Sequence, residues 1–100
     1  MASIGQLTRD IYRYNNLEDR IRYIIIALDN AADYVNRLDN EIKRDYQVNN
    51  NNAAISDRTT EIKKELEKAS HFLKKTILPS IDSSRSDARW LRNKLMEEED

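Results

Sequence analysis

The sequence predicts an all-α protein built as an antiparallel two-helix hairpin, coiled-coil-like, that pairs into a helical bundle. The 100 residues contain only one Gly and one Pro, so little in the chain interrupts a helix. Apolar residues recur at alternating spacings of three and four in both halves, which is typical of helices with one buried stripe. Four consecutive asparagines, Asn49 to Asn52, separate the two halves.

The first helix is expected over residues 3–46. If Ile4 is written as heptad position a, every d position of this segment is apolar or aromatic, and such a repeat predicts a helix that buries one stripe. These d residues are Leu7, Tyr14, Ile21, Leu28, Val35 and Ile42.

The a positions are interrupted by two carboxylates, Glu18 and Asp39. Charge at a core position favours pairing specificity over maximum stability. Next to the a positions, at g, the helix carries a further apolar row, which makes the stripe wide enough to contact more than one neighbouring helix. That row consists of Leu17, Ile24, Ala31 and Leu38.

A bend is expected at residues 47–53, because asparagine tolerates left-handed backbone and hydrogen-bonds locally. The second helix is then expected over residues 54–96, with Ser56 to Arg58 as a candidate start signal. Its predicted core stripe is Ile55, Ile62, Leu66, Ala69, Leu73, Ile77, Ile81, Ala88, Leu91 and Leu95.

Pro79 predicts a kink in the second helix near Leu78, since proline lacks an N–H and its ring clashes with the preceding turn. A lone hairpin has only one internal interface and buries too little surface for a chain of this length. We therefore expect one domain over residues 1–100 that associates with a second hairpin, either of its own kind or of another protein.

Six large side chains project away from the predicted core. Helical projection at about 100° per residue places three tyrosines, eleven residues apart, on one line of the first helix. Two aromatics of the second helix lie opposite its own stripe. Aromatics are enriched at interface anchors, although scattered exposed aromatics are also ordinary. The candidate partner-binding residues are Tyr12, Tyr23, Ile26, Tyr34, Phe72 and Trp90.

The composition argues against an enzyme. Without further glycines there is no phosphate-cradling loop, and without cysteine there is no thiolate metal site. The only histidine, His71, lacks the second histidine and carboxylates that a helical di-metal site needs. The serines near Pro79 have no histidine base close in sequence. We therefore predict no catalytic residue, no metal and no cofactor.

The charge balance, 17 basic against 18 acidic residues, supplies no field that would gather nucleic acid or an anionic membrane. The first ten residues lack the apolar run of a secretory signal, and the run from Tyr23 to Leu28 is far shorter than a membrane span. These features predict a cytoplasmic protein, or one exported without a cleaved leader.

In architecture, the chain resembles the small helical-hairpin proteins of type VII secretion systems, namely the WXG-motif proteins and the small partners of LXG-domain toxins. The resemblance rests on the length, the absence of cysteine and two long helices meeting at mid-chain. It implies a targeting protein that binds the N-terminal helical domain of a toxin and aids its export. No Trp-x-Gly stands at the bend, and Trp90 is followed four residues later by Lys94 instead of an acidic residue. These departures favour an accessory partner over a self-sufficient export substrate.

The alternative is a cytoplasmic structural or adaptor coiled-coil subunit, or a needle-like or chaperone-like component of another secretion system. A neighbouring gene for an LXG toxin would favour the first interpretation over this one.

Overall fold

A computed structural model describes residues 3–45 and 50–99, and every one of these residues except Ser3 is helical. Helix α1 spans Ile4–Asp45 and helix α2 spans Asn50–Phe72. A π-helical segment follows at Leu73–Ile77, and helix α3 spans Leu78–Glu99. The all-α prediction is confirmed, and the described residues contain no strand.

Helix α1 begins at a hydrogen-bonded cap. The backbone N–H of Gln6 donates to Ser3 Oγ over 3.1 Å, and the N–H of Leu7 donates to the Ser3 carbonyl over 2.9 Å. A serine in this position satisfies one of the N–H groups that the first turn leaves without a partner. Beyond Gly5 the helix contains neither Gly nor Pro, and it continues without interruption to Asp45.

Helix α2 begins at Asn50, four residues earlier than expected. Tyr46, the expected end of the first helix, and residues 47–49 of the expected bend lie outside the described residues, whereas residues 50–53 of that bend belong to α2. Asparagine is among the residues preferred at a helix N-terminus, so an asparagine run is compatible with a helix start as well as with a turn. Ser56 is not a cap, because it lies within α2 and its hydroxyl bonds to Asp39.

The π-helical segment, Leu73–Ile77, lies immediately before Pro79. Inward-facing residues before and after this region alternate at spacings of three and four. Leu73, Ile77, Ile81 and Arg85 instead follow one another at three steps of four, and all four are buried or half-buried. A π turn accommodates one additional residue, so it keeps the stripe facing inward across this irregularity. It also interrupts the α-helical hydrogen-bond pattern just before Pro79, which has no N–H to donate to that pattern.

The chain forms two compact units. The central unit contains residues 24–45 and 50–72, and the terminal unit contains residues 3–23 and 73–99. Within the central unit α1 and α2 run antiparallel, since Asn36 bonds to Lys63 and Asp29, seven residues earlier, bonds to Ser70, seven residues later.

The heptad assignment of α1 is confirmed: all a and d positions from Ile4 to Ile42 are buried or half-buried, including Glu18 and Asp39. The stripe predicted for the second helix is partly wrong. Ile55 and Ile62 are 48% and 51% exposed, and Leu91 is 39% exposed. The inward positions are the residues directly after these three, and the one after Ala69: Ser56, Lys63, Ser70 and Arg92.

Candidate interaction surfaces

The six candidate partner-binding residues are all exposed. In the terminal unit Tyr12, Tyr23 and Trp90 are 67%, 74% and 64% exposed. The central unit carries the other three, whose exposed fractions run from 54% to 67%: Ile26, Tyr34 and Phe72. Two of the rings have a cation nearby, with Lys94 Nζ 5.8 Å from the Trp90 centroid and Arg37 Cζ 5.8 Å from the Tyr34 centroid.

In the central unit, Asp39 is the centre of a polar cluster between α1 and α2. This side chain is buried, yet its Oδ1 accepts a hydrogen bond from Ser56 Oγ over 2.6 Å. Its Oδ2 lies 2.8 Å from the Lys43 ammonium. Thr59 Oγ1 lies 3.1 Å from Oδ1 and 2.8 Å from the Ser56 carbonyl, and its single proton serves one of the two. The carboxylate that interrupts the a row is therefore fully partnered.

This cluster stabilises the charged form of the carboxylate. The hydrogen bond from Lys43, reinforced by that from Ser56, lowers the pKa of Asp39 from the ordinary 3.8 to about 2. Donors to a carboxylate favour its ionised state. Asp39 therefore stays charged in the folded protein well below the pH at which it protonates in an unfolded chain.

Two further contacts continue the polar row along the central unit. Lys63 Nζ donates to Asn36 Oδ1 over 3.1 Å, and Ser70 Oγ donates to Asp29 Oδ1 over 2.7 Å. Ser70 is among the most buried of the described side chains, at 3% exposed. Since each contact matches one polar residue of α1 to one of α2, a shift in register would leave buried polar groups without partners.

The terminal unit has a charged network centred on Arg85. Its Nη1 lies 2.7 Å from Glu18 Oε2 and donates to Asn15 Oδ1 over 3.0 Å. Its Nη2 lies 2.8 Å from Asp82 Oδ1. The hydrogen bond from Arg85 lowers the pKa of Glu18, and those to Asp82 and Glu18 raise the pKa of Arg85. Like Asp39, Glu18 is matched by a cation in the folded chain.

All of these contacts lie on one side of the helix pairs. In α2 and α3 the corresponding a positions are the inward residues Ser56, Lys63, Ser70, Arg85 and Arg92, so that Ile55, Ile62 and Ala69 are g residues. Each contact involves an a residue and residues near it, whereas the opposite side of the stripe carries the d and g rows. In an antiparallel pair of right-handed helices, the two g rows face the same side. The pairs therefore have a polar side held by hydrogen bonds and a second side whose chemistry is set by the d, g and neighbouring c positions.

The second side of the central unit is apolar, and we refer to it as the apolar side. Its g residues Leu38, Ile55 and Ile62 are each about half exposed. The d residues beside them, among them Leu28, Val35 and Leu66, are only half-buried. Its apolar residues are Ile24, Ala27, Ala31, Tyr34 and Leu38 on α1 with Ile55, Ile62, Ala69 and Phe72 on α2, and the charged c residues Glu41, Arg58 and Glu65 lie along its edges.

Sequence reasoning found only half of this surface. It identified the g row of α1 but placed Ile55 and Ile62 in the core, because a seven-residue apolar repeat shows that a face exists without showing which helix it contacts. The missed signal was the set of hydroxyls and cations one residue later, Ser56, Lys63 and Ser70. Those are the partners that Asp39, Asn36 and Asp29 require.

The described residues contain no group of three or more histidine and carboxylate side chains arranged to hold a metal ion. His71 is exposed, and Ser80 donates its hydroxyl to the Thr76 carbonyl over 2.7 Å. Within the described part of the chain, none of the helices is both long enough and apolar enough to span a membrane. No family model matches the chain. Searches of curated proteins and of solved structures likewise give no match.

Proposed function

We propose that this chain is a non-enzymatic partner protein that binds the helical N-terminal domain of an LXG-type toxin and aids its export by a type VII secretion system. The observation that carries the proposal is the excess of exposed over buried apolar residues. Among the described residues, five hydrophobic side chains are buried, whereas thirteen large ones are exposed. Scattered exposed apolar residues are ordinary in a monomer, but continuous apolar rows mark interaction sites.

The aromatic residues are the proposed anchors for the toxin domain. In the terminal unit these are Tyr12, Tyr23 and Trp90, each more than three-fifths exposed. Large aromatics supply much buried area at low conformational cost. In the central unit the proposed anchors for the toxin domain are Ile26, Tyr34 and Phe72. The charge of -1 leaves apolar contact as the main source of affinity.

The proposal includes association with another helical hairpin in a bundle, which would cover the exposed rows. It also includes a bend of the second arm near Pro79, because sharp bends in helices occur at prolines and at π segments, and both are present here. The protein would act in the cytoplasm or leave the cell with its toxin.

The test uses the N-terminal helical domain of an LXG toxin encoded beside this gene, co-expressed with the full-length chain. We expect the two to co-purify. Trp90→Ala and Tyr23→Ala should each weaken binding about tenfold, since truncating an interface anchor costs roughly 1.4 kcal/mol or more. Helicity measured by circular dichroism should not change.

Arg89→Ala is the matched control, because Arg89 is exposed next to Trp90 and is not one of the candidate anchors. It should bind the toxin domain like the unmodified chain. The absence of a toxin gene, or of any complex with the toxin domain, would remove the type VII assignment. Normal binding by both aromatic variants would leave the partner and reject these anchors.

A further inference from the structure

The apolar side of the central unit is broader than the hairpin itself can use. In this unit the a residues Ile25 and Ala32 are buried, whereas the d residues Leu28 and Val35 remain half-buried. The apolar surface continues past the d and g rows to c, where Tyr34 and Phe72 lie. A helix pair with this a, d and g pattern on one side has the surface of half a four-helix bundle.

We propose that the apolar side of the central unit binds the same surface of a second copy of this chain. The twofold axis runs parallel to the helices, so that α1 of one copy packs against α2 of the other at the same level. This inference requires no toxin and no secretion system. A dimer of this kind would compete with the toxin contacts proposed for Tyr34 and Phe72, because both side chains lie on the surface that the second copy would cover.

Charge complementarity selects a second copy and this orientation. The contacts of Asn36 with Lys63 and Asp29 with Ser70 fix a one-to-one antiparallel register, which places Glu41 level with Arg58. Both are exposed c residues at the edge of the apolar side. The parallel twofold axis brings Glu41 of each copy to Arg58 of the other, giving two symmetric ion pairs. An end-over-end rotation about the middle of the surface would instead bring Glu41 to the level of Phe72.

Side-chain size agrees with the same arrangement. The register that aligns Glu41 with Arg58 also aligns Ala27 with Phe72, so the ring of one copy meets a small residue of the other. Ala31 and Ala69 lie within one residue of a common level near the middle of the surface. Small residues at that level allow the helices to approach closely, and the same patch on both copies satisfies the requirement of an isologous interface.

The surface is large enough for a stable dimer. Helices of about 22 residues are roughly 33 Å long, and two of them side by side are about 20 Å wide. This face would bury about 650 Å² per copy, or roughly 1,300 Å² in total, and biological interfaces exceed about 1,000 Å². The near balance of charge, 17 basic and 18 acidic residues, adds little repulsion between copies.

Sedimentation velocity of the full-length chain between about 1 and 100 µM tests the proposal. We expect a dimer that dissociates on dilution. Glu41→Arg alone and Arg58→Glu alone should each weaken dimerisation about tenfold or more, because each places like charges opposite one another twice. The double variant Glu41→Arg with Arg58→Glu should restore dimerisation.

Glu61→Arg and Lys64→Glu are the matched controls, since both residues are exposed on the outer face of the same helix. They should dimerise like the unmodified chain. Leu38→Asp should abolish the dimer, and circular dichroism must show retained helix for that result to count. A monomer across the whole range, or a double variant that associates no better than the single variants, would overturn the proposal.

Discussion

The central and terminal units have the same helical stripe but differ in the row beside it. In the central unit the g row is apolar from Ile24 to Leu38 on α1 and from Ile55 to Ala69 on α2, and the apolar d residues next to it are half-buried. In the terminal unit the g row includes Asp10 and Ser84 as well as Leu17 and Leu91. The a and d repeat alone therefore does not indicate whether a helix pair has a further apolar surface for another helix to cover. The residues of the neighbouring g row indicate this.

The polar contacts differ as well. In the central unit, hydroxyl and ammonium groups donate hydrogen bonds to Asp39, Asn36 and Asp29. In the terminal unit Arg85 lies against Glu18 and Asp82, and the Nε atoms of Arg85 and Arg92 are buried there without a hydrogen-bond partner. Contacts spread along the central unit fix its register at several levels, whereas the Arg85 network fixes the register of the terminal unit near Asn15 and Glu18.

The largest effect should come from the buried isoleucines. Ile11 in the terminal unit is 6% exposed and Ile25 in the central unit is 7% exposed. Ile11→Ala and Ile25→Ala should each lower the free energy of unfolding by about 2 to 5 kcal/mol, through lost burial and the cavity left behind. Urea denaturation followed by circular dichroism measures this.

The valine variants at the same positions provide a milder pair that should stay folded, at a cost of about 0.5 to 1.5 kcal/mol each. Equal costs at Ile11 and Ile25 would show that both units depend on their apolar cores to the same degree. A cost below about 1 kcal/mol for one alanine variant would show that its unit does not need that core residue.

A smaller effect should come from the π segment of the terminal unit. Deleting Lys75 removes the additional residue, so that the helix must continue in α form into Pro79. We expect the deletion to destabilise the chain by up to about 3 kcal/mol, the usual cost of proline inside an α-helix. Thermal denaturation followed by circular dichroism measures the change.

Combining the deletion with Pro79→Ala should recover most of that loss, because alanine supplies the missing N–H and removes the ring. Pro79→Ala in the undeleted chain is the control. If the deletion lowers the melting temperature equally with alanine at position 79, the π segment is needed to keep the stripe facing inward and not to accommodate the proline.

The smallest effect should be the pH dependence that Asp39 contributes to the central unit. Its pKa is about 2 in the folded chain against an ordinary 3.8, so its contribution is complete above about pH 4. That contribution is lost as the pH falls towards 2, because the unfolded chain takes up the proton first. The melting temperature should fall over this range.

Asp39→Asn should reduce that fall, although Glu18, whose pKa is also lowered, leaves part of it in place. Asp33→Asn is the matched control, since Asp33 is exposed and pairs with Arg37 at the surface. Identical pH profiles for Asp39→Asn and the unmodified chain would show that the cluster does not couple protonation to folding.

Much of the fold could be predicted because local rules dominate in a helix. The spacing of Ile4, Leu7 and Ile11 fixes which face of α1 is buried, whatever packs against it. Asparagine was ambiguous, since it suits both a turn and a helix start, and α2 accordingly begins at Asn50. The candidate aromatics were predicted to be exposed and are exposed, while their role in binding stays a prediction.

By itself, the sequence determined that the described residues are helical and that α1 buries its a and d rows. Each follows from the spacing of apolar residues. Only the tertiary structure decided which row of α2 faces inward. Two rows of residues that are one position apart in sequence differ by about 100° around a helix. Both rows repeat every seven residues, so the spacing alone does not distinguish which one faces inward. The inward row carries Ser56 and Lys63, which bond to Asp39 and Asn36, and leaving such polar groups without partners would be costly.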